Sequence, residues 1–356
     1  MTATPASGQA IHEALRACAG AGDREAALRV RIAAPATGRV EGLLDAFEDS
    51  QRPVGERRCA ALGLKLWPAG DGDVEAAERL AAIAMEAMDE DLAGDAADAL
   101  AASGAAMAVQ TLLAVAGRDE IKVRRRAALA LATMNGAAGA AEALRTLSGE
   151  GAPRLVEAAL RGLAGVGGPA DVEVFQAHLH DADPLVRQRA IEGVGRHGDA
   201  AALDDLVAAL GDRYQPIAVA AAGGLGRLKS AEAVEALGAY LSGPERAAAD
   251  AAMVALGAIG DPAGVRHVTP YLFDRDGYLR VSAARALDSI GDPSALAHLD
   301  RALDTELVNA RVAVLGAIAS FGAKAGMLRS KIRRIGREQD LHPRVAEAVE
   351  EALRTM

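Results

Sequence analysis

Asp276-Gly277-Tyr278-Leu279-Arg280-Val281-Ser282-Ala283-Ala284-Arg285-Ala286-Leu287-Asp288-Ser289-Ile290-Gly291-Asp292-Pro293 reads as one helix, its stop signal and the start of a second helix. Gly291 stands where a helix end favours a left-handed residue. Asp292 stands where the next helix needs an N-cap, and Pro293 at its first position, where a missing N–H costs nothing. Gly260-Asp261-Pro262 repeats the joint, and Gly198-Asp199 repeats it without the proline. Residues with different backbone roles, in the required order, mark a helix–turn–helix junction.

The stretch is one copy of several. Leu163, Val194, Leu225, Leu256, Leu287, Ile318 and Val349 follow one another at steps of 31 residues. Val172, Leu203, Val234, Val265, Leu296 and Met327 hold the same period, as do Leu179, Leu210, Leu241, Leu272 and Leu303. Within Asp183–Gly211, the residues Leu185, Val186, Ala190, Ile191 and Val194 fall on one helical stripe; after Gly198, Leu203, Leu206, Val207 and Leu210 fall on another. A single pair of helices cannot bury both stripes, so neighbouring copies must stack. Upstream the register continues through Leu131 and Leu100, with one extra residue between Leu131 and Leu163. Earlier segments, at Ile11–Ala19, Arg24–Ile32, Val40–Phe47, Glu56–Leu66 and Val74–Met88, read as helices at irregular spacing. The expected organisation is an irregular N-terminal cap over 1–94 and a regular array over 95–356, in one continuous solenoid.

Composition agrees. Of 356 residues, 51% are hydrophobic and only 3% aromatic. Alanine is abundant, which favours closely packed helices over sheet. The net charge of -10 disfavours sequence-independent nucleic-acid binding unless the basic residues share a face. Cys18 and Cys59 fall inside expected helices and read as buried thiols, with no pattern of a disulfide framework or zinc site. The start Met1-Thr2-Ala3-Thr4-Pro5 lacks the basic-then-apolar order of a secretion signal, and apolar runs are too interrupted to span a membrane. A soluble cytoplasmic protein is the expectation.

The residues Asp276–Pro293 resemble the HEAT-like repeat of phycobilisome lyases, with its pattern Asp-x-x-x-Arg-x-x-Ala-Ala-x-Ala-Leu-Gly-x-Ile-Gly-Asp, and similar text recurs in Asp183–Asp199 and, more loosely, in Ala247–Pro262. The resemblance covers about 95–356. It implies an all-α superhelix of antiparallel helix pairs, and it constrains function weakly. The arginine of the pattern recurs as Arg187, Arg280 and Arg311, where it is expected to bind carboxylates and carbonyls between repeats.

In repeats of this type the helix carrying the alanine pattern lines the concave side. Its outward positions, followed through the period, bring Arg161, Arg189, Glu192, Arg196, Arg227 and Arg285 onto one face. Such a strip would accept an acidic peptide or partner surface, since the guanidinium fork matches a carboxylate. The plainer reading is a solvated face, with Glu157–Arg161 and Glu192–Arg196 as i,i+4 pairs. Tyr240 and Tyr271 stand one period apart, with Tyr278 nearby. They are secondary contact candidates, or rings that cover the groove between repeats. Arg333 and Arg334, in the basic run Lys324–Arg337, are a further candidate docking surface or the polar face of a late helix.

Catalytic patterns are missing from the sequence. There is no phosphate loop, no G-x-S-x-G elbow and no cysteine with a matched histidine. His267 and His298, one repeat apart, are too few ligands for a metal. HEAT-type hydroxylases with two irons carry repeated His-Glu dipeptides; here His12-Glu13 stands alone. The expected function is a non-catalytic protein-interaction scaffold or regulator without cofactor. The alternatives are an accessory of a bilin-lyase-like enzyme and, less favoured, a nucleic-acid binder.

Overall fold

The computed structural model describes residues 5–22, 24, 39–66, 74–242 and 249–356. The expected helix at Arg24–Ile32 lies, beyond Arg24, outside these residues. Among the described residues there are 21 α-helices and no strand. The fold is an α-α superhelix of antiparallel helix pairs. The helices group into two compact units, Met1–Val174 and Phe175–Met356.

The first unit holds α1 (Pro5–Ala19), α2 (Arg39–Glu48), α3 (Val54–Leu66), α4 (Val74–Glu86), α5 (Glu90–Ser103), α6 (Ala108–Val115), α7 (Ile121–Leu131), α8 (Ala140–Ser148) and α9 (Pro153–Val166). Helices α3, α5, α7 and α9 pack in succession as one row, and α2, α4, α6 and α8 form a second row against them. Position 94, the last residue of the expected cap, lies inside α5, with the Arg126 side chain directly over Gly94. Leu100, Leu131 and Leu163 are fully buried along the first row.

One sequence reading is corrected in this unit. Cys18 and Cys59 are not free thiols: they form a disulfide that joins α1 to α3 across a separation of 41 residues. Both positions are buried where α1 packs on α3. Two cysteines far apart in sequence carry no framework pattern, so only tertiary packing reveals the pair. Disulfides persist mainly in oxidising compartments and are rare in the cytosol.

The second unit holds the end of α10 (Val172–Gln176), then α11 (Pro184–His197), α12 (Leu203–Ala209), α13 (Gln215–Leu228), α14 (Glu232–Ser242), α15 (Ala249–Ile259), α16 (Val265–Val268), α17 (Gly277–Ile290), α18 (Leu296–Ala302), α19 (Val308–Ser320), α20 (Arg329–Ile335) and α21 (Pro343–Thr355). Helices α11, α13, α15, α17, α19 and α21 carry the alanine pattern and pack consecutively as one row, here called the motif row. The second row, α12, α14, α16, α18 and α20, is built of shorter helices, most entered through a 3-10 turn. Val194, Leu225, Leu256, Leu287, Ile318 and Val349 are all buried between the rows. The second register holds through Val234, Val265 and Leu296 and fails at Met327, which is 76% exposed beside the last pair.

The junctions show two uses of glycine. Gly260 and Gly291 take left-handed φ of 74° and 70°. The aspartates that follow cap the next turn, Asp261 accepting from Ala263 N–H and Asp292 from Ser294 N–H. Gly198 is extended instead (φ -69°). It is required for space, because a Cβ there would lie 2.5 Å from Val194 O and 2.6 Å from Ala202 Cβ. Along the motif row small residues bring helices close: a Cβ on Gly195 would lie 2.8 Å from Gly224 Cα, and one on Gly226 3.1 Å from Ala255 Cα.

Candidate functional site

The arginines of the chain sort by what they bind. The motif arginines are fasteners between repeats, as their sequence position implies. Arg187 donates from Nε and Nη2 to both oxygens of Asp212 (3.0 and 3.2 Å) and from Nη1 to Asp181 O (2.9 Å). Arg280 reaches Asp274 O and Thr305 Oγ1, and Arg311 reaches Leu303 O and both oxygens of Glu338 (2.8 Å each). Arg124 does the same in the first unit, binding Ala116 O and Glu150. These sites are partly desolvated, where a charged hydrogen bond contributes about 1.5–3 kcal/mol. Burial pushes the Asp212 carboxyl up, but Arg187 and the Tyr214 N–H outweigh it and hold the group below its ordinary range.

In the first unit's row, Arg58 and Arg126 are neutralised in place. Arg126 donates to Asp95 and Asp98 at 2.8 Å each, and Arg58 to Asp95 at 2.9 Å. Burial works against the charge of Arg126, yet Asp98 and Asp95 raise its pKa. Arg161, on α9, is exposed and has no hydrogen bond or ion pair among the described residues.

The second unit differs. On α11, Glu192 accepts from Gln188 Nε2 (2.8 Å) and Arg189 Nη1 (2.7 Å), so the expected Glu192–Arg196 pair does not form. Arg196 is exposed without a hydrogen bond or ion pair among the described residues. On α13, Arg227 donates Nε to Gly195 O at 2.8 Å, capping the last turn of α11. Burial, and then the charge of Arg196, hold the pKa of Arg227 below the ordinary guanidinium value, against the opposite pull of Glu192. Arg196 and Arg227 are therefore two neighbouring cations with no carboxylate bonded to either.

Farther along the row, Arg285 is brought together with Tyr278 in an open groove of about 700 Å³. The groove lies between α17, α19 and α21, and Val281, Leu307, Val312 and Arg344 also line it. Tyr278, a secondary candidate from sequence, is 62% exposed, and its hydroxyl donates to Asp250 Oδ2 at 3.1 Å. Leu307, 44% exposed, was not a sequence candidate: it precedes α19 as an N-cap residue, outside the stripe positions that periodicity picks out.

The other candidates separate from this surface. Tyr271 is 6% exposed and donates to Leu241 O, so its ring covers the inter-repeat joint. Tyr240 is half-buried on α14 of the second row. Arg333 and Arg334 are exposed on α20, also in the second row, while Lys331 beside them is tied to Asp300 and Asp304. His197 stacks on Phe175 at 6.1 Å, a packing contact. No group of three or more His, Cys, Asp or Glu among the described residues is placed to hold a metal ion, and no described helix is long and apolar enough to cross a membrane.

The fold and its fasteners define a class. HEAT repeats match residues 149–222, 170–254 and 234–319. The match identifies the repeat and does not single out the phycobilisome-lyase type that Asp276–Pro293 resembles. No curated protein matches the chain. Among solved structures, importin beta superposes with a TM-score of 0.66 at 13% identity, over 98% of this chain and 55% of that one. A chain of the structure in which Kap95p binding induces the switch loops of RanGDP to adopt the GTP-bound conformation gives 0.64 at 13%, over 97% and 55%. The protein thus spans about half the length of these chains, and at this identity the likeness is one of fold.

Proposed function

We propose that this chain is a non-catalytic interaction protein that holds a partner protein on the motif row of its second unit, through basic side chains that the fold leaves uncommitted. The observation that carries the reading is the sorting of the arginines. Arg187, Arg280 and Arg311 are used up at the joints, whereas Arg196 and Arg285 have no hydrogen bond or ion pair among the described residues, on a chain whose net charge is -10. An acidic partner would supply the missing carboxylates, and desolvated guanidinium–carboxylate pairs fix position and orientation. The close backbone approach along the motif row, at Gly195–Gly224 and Gly226–Ala255, supports reading that row as the concave one. HEAT solenoids commonly serve protein–protein interaction, and Kap95p, from the structure of similar fold, acts on the switch loops of RanGDP by binding.

The test is a pull-down from native lysate with wild type and Arg196→Glu, read by mass spectrometry. Arg196 makes no internal contact that the change would break, so circular dichroism should be identical. An acidic partner retained by wild type and lost by the variant supports the proposal. Equal retention by both removes Arg196 from it and moves attention to Arg161 or to Arg333 and Arg334.

A further inference from the structure

The groove between α17, α19 and α21 combines an apolar lining with basic charge. Its lining includes Val281, Leu307 and Val312 together with the exposed face of Tyr278, which gives it an apolar floor and wall. Two guanidiniums, Arg285 and Arg344, border it, and no carboxylate is among its lining residues. Arg285 is exposed and without a hydrogen bond or ion pair among the described residues. Arg344 donates Nη1 to Asn309 Oδ1 at 2.9 Å, a neutral acceptor that orients the fork and leaves its charge unanswered. Tyr278 is held by its bond to Asp250, which also accepts from Ser282, so one wall is fixed before anything binds. Helices α17, α19 and α21 all present their N-terminal turns here, since Tyr278, Leu307 and Arg344 sit within or next to the first turn of each. Their dipoles add to the preference for negative charge. The volume of about 700 Å³ lies inside the roughly 300–1,000 Å³ typical of sites that enclose a ligand.

We infer that this groove is a docking pocket for a short acidic segment of a partner protein. One apolar side chain of that segment sits among Leu307, Val312 and Val281, and a carboxylate within one helical turn of it meets Arg285 and Arg344. The inference rests on the reading that the motif row binds protein, and it assigns the anchor. Charge complementarity chooses the occupant: a purely apolar segment would leave two guanidiniums unsatisfied, and a purely acidic one would leave Leu307 and Tyr278 in water. Anchors in interfaces pair an apolar plug with flanking charge in this way.

The experiment is selection of phage-displayed random dodecapeptides on the full chain. The enriched peptides are then measured by fluorescence anisotropy against wild type, Arg285→Glu, Val312→Glu, Arg196→Glu and the control Arg125→Glu, each shown folded by circular dichroism. The expected peptides share one aliphatic or aromatic residue with Asp or Glu within one turn of it. Their affinity should drop roughly tenfold to a hundredfold in Arg285→Glu and in Val312→Glu, the scale of a lost charged contact or a spoiled apolar seat. It should weaken with added salt and hold in Arg125→Glu, a matched charge reversal at an exposed position of α7 in the first unit. A consensus without acids, no enrichment, or binding indifferent to both groove variants overturns the pocket. Peptides lost only in Arg196→Glu also overturn it, while leaving the protein-binding reading of the row intact. Displacement of the peptides by decanoate with no peptide consensus would give the groove to a small amphiphile instead, against the inference.

Discussion

Gly193→Ala should destabilise the second unit, although alanine is the better helix former. Gly193 lies inside α11, and its register continues as Gly224, Ala255, Ala286 and Ala317, so alanine is what the repeat ordinarily tolerates there. At Gly193 the space is already taken. A Cβ would stand 2.2 Å from Phe175 Cδ1 and 2.3 Å from Cε1. That is about 1.3 Å or more inside the roughly 3.5–4.0 Å of carbon–carbon contact. Phe175 is fully buried and stacked on His197, so the ring has no free direction in which to move. Helix propensity returns about 1 kcal/mol, while overpacking a closed site costs about 1–3 kcal/mol and occasionally more. The net is a loss of up to about 2 kcal/mol, with the 2.2 Å approach to a closed ring placing it at the upper end. Gly316→Ala is the matched control: it sits mid-helix in α19 with nothing within 4 Å of a built Cβ, and should stabilise by about 0.5–1 kcal/mol. Urea denaturation followed by far-ultraviolet circular dichroism should therefore shift the first transition in opposite directions. Phe175→Leu placed on Gly193→Ala should recover part of the loss, a positive coupling between touching sites. Equal shifts for the two glycines, or no coupling with Phe175, would refute the assignment of the loss to this ring.

Arg187→Ala removes four hydrogen bonds at a half-buried joint, two of them to a carboxylate, and should cost about 1.5–3 kcal/mol in the same titration. A neutral effect would mean that the motif arginine is not a fastener. Asp212→Asn tests the partner by pH. The fold holds this carboxyl below its ordinary value, so its contribution is full above the unfolded-chain pKa of about 3.9 and fades as pH falls through the folded one. The variant should be less stable at neutral pH and should flatten the acid limb; an unchanged limb sinks the linkage. For Cys18 and Cys59, alkylation in denaturant without reductant should label neither thiol, and reductant should label both and destabilise the first unit by up to about 4 kcal/mol for the 41-residue separation. Free thiols before reduction would contradict the pairing.

The parts of the molecule legible from sequence are those in which one residue type performs one job at a fixed interval. Leu287 and its equivalents are buried because each copy presents the same stripe to the same neighbour. Arg187, Arg280 and Arg311 could be assigned from position because a guanidinium next to an incoming loop finds its carbonyls. The readings that shifted depend on choices between neighbours. Glu192 could bond one turn back or one turn forward, and Gln188 with Arg189 took it, leaving Arg196 free. Periodicity places Arg227 on the open strip, but the close approach of Gly195 and Gly224 puts the carbonyl of Gly195 within its reach. The disulfide joins helices whose spacing follows no period, so no register could announce it.

These two kinds of arginine make the functional argument sharper than composition does. In a stack held by repeated salt bridges, an arginine at a joint has a partner one repeat away, as Arg311 has in Glu338 and Arg126 in Asp95. Retaining Arg196 beside Arg227 does the reverse. It places like charges together, lowers the pKa of Arg227 and offers the fold no compensating bond from Arg196. A contact of that sign opposes folding and favours any complex that brings negative charge to it. Arg196→Ala should accordingly leave stability unchanged or raise it slightly, while weakening partner capture. If it instead destabilised the chain as Arg187→Ala does, Arg196 would be another fastener and the basic surface would lose its claim to a partner.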